Sequence, residues 1–134
     1  MAREFNVFIS HSWSYHDDLL RLRNLLSTRG YFHVDFYEAS YDTPINSINA
    51  SYIKQALKKK ITDSDIVLVI AGVYATHSEW IGWELETAYK NNVPIVGVVP
   101  FGAERMSTVV KDYADEIVRW NTESIVEAIR FHAA

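Results

Sequence analysis

Apolar residues along this chain alternate between two rhythms. Compact runs, FNVFIS (5–10), FHVDFY (32–37), IVLVIAG (66–72), VPIVGVVPF (93–101) and EIVRWN (116–121), read as strands. Longer stretches between them repeat at helical spacing. Residues 15–30 place Leu19, Leu22 and Leu26 on one face, and Gly30 suits the stop. Further helices are expected over 48–65, from Ser78 to about Lys90, over 105–115 and over 122–133, the last with Thr122 as N-cap. Residues 38–47, EASYDTPINS, form a polar loop around Pro44.

Strands alternating with helices predict an α/β fold, a parallel sheet with helices on both faces. The run IVLVIAG is apolar at every position, as a strand buried on both sides must be. Right-handed crossovers then favour a flavodoxin-like five-stranded sheet in the order 2-1-3-4-5. Sites in such sheets lie at the carboxyl ends of the strands. Those ends carry Ser10, His11, Ser12 and Trp13, the loop 38–47, and residues 73–80.

Composition narrows the class. The 134 residues are 49% hydrophobic and 22% charged, the balance of one ordinary globular domain over 1–134. A formal net charge of −4 argues against a nucleic-acid groove. The one basic cluster, Lys58 to Lys60, falls near a helix end, where cations suit the dipole. With no cysteine, disulfides and thiolate chemistry are excluded. The start MAREFNVFIS lacks a secretory signal pattern, and no apolar run approaches membrane-spanning length. A cytoplasmic protein with neither membrane nor nucleic acid as partner is expected.

The chemistry-bearing stretch is THSEWIGWELETA, residues 76–88. At 100° per residue from Ile81, Leu85 lies at about 40° and Ala88 at about −20°, which defines a buried stripe. Glu84 falls at about −60°, beside that stripe, with Trp80 on its flank; Glu86 and Glu79 fall at about 140° and 160°, toward solvent. Glu84 is therefore the acid placed to face the strand ends half-buried. By geometry alone, a structural glutamate and a functional one both remain open. His11, His16, His33, His77 and His132 are scattered without metal-ligand spacing, so no metal site is expected. Neither a phosphate-binding glycine loop nor a G-x-S-x-G elbow is present.

Three segments carry a resemblance: FNVFISHSW, DSDIVLVIAGVYATHSEWIGWE and NNVPIVGVV. They resemble the TIR (Toll/interleukin receptor) domain, in particular the prokaryotic TIR-like branch found in Thoeris antiphage defence. The resemblance runs from Phe5 to about Phe131, and its most specific element is S-x-W-x-x-x-E, here Ser78, Trp80 and Glu84. It implies an enzyme that breaks the nicotinamide–ribose bond of NAD, with Glu84 catalytic and Trp80, Ser10, His11 and Ser12 lining the pocket. NAD would be the substrate, with no cofactor, and the product ADP-ribose or a cyclic ADP-ribose-type signal. Loop 38–47 corresponds to the BB loop that gates the site and joins copies of the domain, so a homo-oligomer is expected, with a nucleotide-activated effector protein as partner. The sequence departs from many members in lacking Gly in DTPINS and in having His11 where Tyr is common.

Two rival readings stand beside it. A TIR adaptor would act by self-association without catalysis. A nucleoside deoxyribosyltransferase would also set a Glu against an N-glycosidic bond. A phosphoreceiver domain is excluded, because its acidic positions are occupied by Ser10-His11 and Ala71-Gly72.

Overall fold

The computed structural model describes residues 4–10, 16–30, 32–35, 48–72, 79–99 and 108–133. Within them the chain runs β1 (Phe5–Ser10), α1 (His16–Arg29), β2 (Phe32–Asp35), α2 (Ile48–Thr62), β3 (Ile66–Ile70), α3 (Glu79–Lys90), β4 (Ile95–Val99), α4 (Thr108–Tyr113), β5 (Glu116–Arg119) and α5 (Thr122–His132). The five strands pair in parallel in the order β2-β1-β3-β4-β5. This is the expected flavodoxin-like sheet. The expected loop 38–47 lies outside the described residues, as do the expected ends of the second and fourth strands and the start of the fourth helix.

Alternation along each strand divides the core between two faces. Val7, Ile9, Leu68, Ile70, Val96 and Val98 pack with Leu19, Leu22 and Leu26 of α1 and with Ile125, Val126 and Ile129 of α5. On the opposite face, Phe8, Val67, Val69 and Ile95 meet Leu57 and Ile61 of α2, Ile81, Leu85 and Ala88 of α3, and Val110 of α4. Every residue of β3 and β4 is buried. Each such aliphatic side chain contributes roughly 1.5–3 kcal/mol on leaving water. No helix among the described residues is long and apolar enough to cross a membrane.

Helix ends follow local chemistry. Gly30 stops α1 with φ 84°, and its N–H donates to the Leu26 carbonyl at 3.2 Å. α3 closes in a Schellman motif: Asn92 takes the left-handed position at φ 59°, and the Val93 N–H reaches the Ala88 carbonyl at 2.9 Å. The cap of α5 is Asn121 rather than the expected Thr122. Both residue types cap well, but Asn121 is the one that stays extended, and its Oδ1 accepts from the Ser124 N–H at 3.1 Å. Lys59 lies in the last turn of α2 and pairs with Asp63 at 3.1 Å, as expected for cations at a helix end.

α2 ends at Thr62, short of the expected residue 65. Asp65 has another use. Its N–H donates to the Asn6 carbonyl at 2.8 Å, and its Oδ2 accepts from the Asn6 N–H at 2.9 Å. Asp115, just before β5, repeats the arrangement with Ile95: its N–H donates at 2.7 Å and its Oδ2 accepts at 2.9 Å. Each aspartate therefore clamps the amino end of a neighbouring strand with a reciprocal pair of hydrogen bonds.

At Gly97, in the middle of β4, the sheet has no room for a side chain. A Cβ there would meet Val110 Cγ1 at 2.8 Å and Ile117 Cγ1 at 3.2 Å. Gly97→Ala is expected to lower stability by roughly 1–3 kcal/mol through overpacking. Gly82→Ala on α3, where none of the described residues would come within 4 Å of the new Cβ, is expected to raise it by up to about 1 kcal/mol through helix propensity. Urea unfolding midpoints of the two variants, moving in opposite directions, check the pair.

Candidate active site

The site begins with two elements that converge at the carboxyl end of the sheet. β1 is an internal strand, held between β2 and β3, and its last residue, Ser10, pairs with Val69. The Ser10 side chain is fully buried. α3 follows β3 and packs its apolar stripe, Ile81, Leu85 and Ala88, onto the sheet. That packing turns Glu84 inward toward the end of β1.

Glu84 is only 6% exposed, deeper than the half-buried position expected from the helix wheel. The wheel treats the helix alone, whereas Trp80 and Trp83 pack beside the apolar core and the strand end closes the other side. Burial pushes the Glu84 carboxyl up from 4.5 to about 8, against a smaller lowering by the nearby Ser10 hydroxyl. The hydroxyl completes no well-formed hydrogen bond in this arrangement. At neutral pH the carboxyl is thus mainly protonated.

The other two acids behave as the helix wheel implies. Glu79 is exposed in the first turn of α3, where an acid suits the dipole. Glu86 pairs with Lys90 at 2.8 Å on the outer face. Of the residues expected to form the site, Ser10 and Glu84 are brought together, and Trp80 lies one turn before Glu84. His11, Ser12 and Ser78 lie outside the described residues.

Trp83 was not singled out from sequence. It meets Trp80 edge to face, with ring centroids 6.2 Å apart at 76°, so the two indoles form one aromatic wall. Their three-residue spacing on a helix was the available signal. Thr87 is buried on the same helix and bonds back to the Trp83 carbonyl at 2.8 Å, which fixes that turn.

Fold and site together define a flavodoxin-like α/β protein with a buried carboxyl at the strand ends. The chain belongs to the family described as the Thoeris protein ThsB, TIR-like domain, whose model matches residues 8–105 and so includes Ser10, Trp80 and Glu84. It is a Thoeris-type defence protein. No curated protein matches the sequence. The fold is similar to that of a 2-deoxyribosyltransferase from Bacillus psychrosaccharolyticus, with a TM-score of 0.67 and 15% identity over 90% of this chain and 89% of that one. It is also similar to a conserved protein from Enterococcus faecalis, with a TM-score of 0.66 and 12% identity over 97% and 99% of the two chains. A CMP N-glycosidase from Clostridium botulinum matches with a TM-score of 0.60 and 12% identity over 93% and 98%. At these identities the likeness concerns the fold alone.

The raised Glu84 value has a defined sign in stability. Between 4.5 and about 8 the folded state holds a proton that the unfolded chain releases, so stability is lost as pH rises through that window. The loss is roughly 1.4 kcal/mol per pH unit at most. Urea unfolding of wild type and Glu84→Gln across this range is expected to show a stability difference that shifts steadily in favour of the variant as pH increases. A difference independent of pH would contradict the burial of an ionisable group here.

Proposed function

We propose that this protein cleaves the nicotinamide–ribose bond of NAD, with NAD as substrate and Glu84 as the catalytic carboxylate. One observation carries the reading: a carboxyl buried at the carboxyl end of a parallel sheet, beside Ser10 and one helical turn from Trp80. Membership of the TIR-like family supports it. Two proteins of similar fold, a 2-deoxyribosyltransferase and a CMP N-glycosidase, are named for chemistry at sugar–base bonds.

The chemistry follows from charge. When the bond between ribose C1′ and the nicotinamide ring nitrogen breaks, its electron pair stays on that nitrogen and neutralises the ring. The ribosyl carbon becomes oxocarbenium-like. An ionised Glu84 stabilises that cation in a site where little water screens the interaction. The indoles of Trp80 and Trp83 offer flat faces for the substrate rings. Capture of the cation by water gives ADP-ribose, whereas capture by a nucleophile within the same molecule gives a cyclic product. Ser10, His11 and Ser12 would line the pocket.

Self-association belongs to this reading. Ile48 and Tyr52 are 94% and 76% exposed, one turn apart at the start of α2, directly after loop 38–47. Copies of the chain would meet along this segment, in the NAD-containing cytoplasm, and the product would act on a nucleotide-activated effector protein.

Glu84→Gln keeps size and removes the charge, so nicotinamide release followed by chromatography is expected to fall about 100-fold or more. Glu86→Gln, on the outer face, is expected to retain activity within about twofold, since an exposed ion pair contributes little. Full activity in Glu84→Gln would sink the assignment of Glu84 as the catalytic group, whereas a wild-type protein that releases no nicotinamide would favour a TIR adaptor. The wild-type kcat/KM should rise with pH and level off above about 8, because only the ionised carboxylate stabilises the cation. Specific activity per protomer is expected to fall on serial dilution; constancy in a protein that stays monomeric would rule out the assembly.

A further inference from the structure

Among the described residues, Ser10 Oγ is the buried side-chain polar atom that completes no hydrogen bond. Such an atom is costly, and native structures contain few of them. Alanine would fill nearly the same space without that cost. Nor is the hydroxyl on a loop that could carry it to water. It is fixed to the end of an internal strand, paired with Val69.

Its neighbour is the Glu84 carboxyl, on which it acts against the larger effect of burial. Among the described residues, Ser10 is the one side chain that acts on that group beside its burial. The charged side chains of the helices packed on α3, Lys54 and Lys58 of α2 and Lys111 and Asp112 of α4, add none, nor do Glu86 and Lys90 on α3 itself.

The two forms of the carboxyl make different demands. A neutral carboxyl carries its own donor, whereas a carboxylate only accepts and needs donors from its surroundings. A hydroxyl bonded to a carboxylate is also held about twice as strongly as one bonded to a neutral acceptor. A hydroxyl idle beside the neutral acid therefore becomes fully used once the acid ionises. We propose that Ser10 is a positioning residue, held on the rigid end of β1 to donate its hydroxyl to the charged form of Glu84 and fix the orientation of that carboxylate. This rests on the reading of Glu84 as the reacting group, and it assigns Ser10 a role through Glu84 rather than as a wall of the pocket.

The test is a carbon-detected NMR titration of the side-chain carboxyls in the full, substrate-free chain, with the Glu84 signal assigned by its absence in Glu84→Gln. Ser10→Ala is expected to raise the Glu84 midpoint by about half to one pH unit. Ser10→Cys, with a weaker donor of similar size, is expected to fall between the two. Thermal unfolding adds a second readout. Ser10→Ala should match or exceed wild type near pH 5, where the acid is neutral in both, and fall below it near pH 9. An unmoved midpoint in both variants, or an equal stability change at both pH values, overturns the proposal. Because no substrate is present, a wild-type protein inert toward NAD would count against the proposed reaction alone.

Discussion

A strand that is apolar at every position must be covered on both faces, and β3 imposes this requirement on the whole chain. Its five residues are all buried. Helices must therefore lie above and below the sheet, and parallel crossovers supply them. α1 and α5 take one face and α2, α3 and α4 the other. Once α3 is committed to the second face, its stripe of Ile81, Leu85 and Ala88 sets its rotation. The direction of Glu84 is a by-product of that rotation.

The same packing that orients Glu84 removes it from water. An acid in such a place resists ionisation, so Glu84 is mainly neutral at pH 7. Charge appears as pH rises through about 8. The fold thus carries a group that opposes its own stability at high pH, a pattern common where function and packing compete.

Much of this was legible in the sequence because it depends on short-range pattern. The strands announced themselves through apolar runs, and the order followed from crossover handedness. Glu84 stood out from Glu79 and Glu86 by its angle to Ile81. What escaped depends on more than one element at a time. The depth of Glu84 comes from the end of β1 lying beside it when α3 packs on the sheet, which no single-helix projection contains. Trp83 projected away from the stripe and was passed over, although its ring meets that of Trp80. Residue type could not separate Asn121 from Thr122 as the cap of α5, because backbone conformation decides it. The end of α2 was set by a partner far along the chain, since Asp65 is engaged with Asn6.

The aspartate clamps at Asn6 and Ile95 have a consequence for how this fold tolerates change. Both lie at the amino edge of the sheet, away from Ser10 and Glu84. A one-residue slip of either strand would break two hydrogen bonds at once and turn every core side chain to the wrong face. Register is therefore anchored at one end and independent of whatever connects the strands at the other. Loops at the carboxyl edge are free to change in length and composition, so this architecture can acquire a new specificity without renegotiating its core.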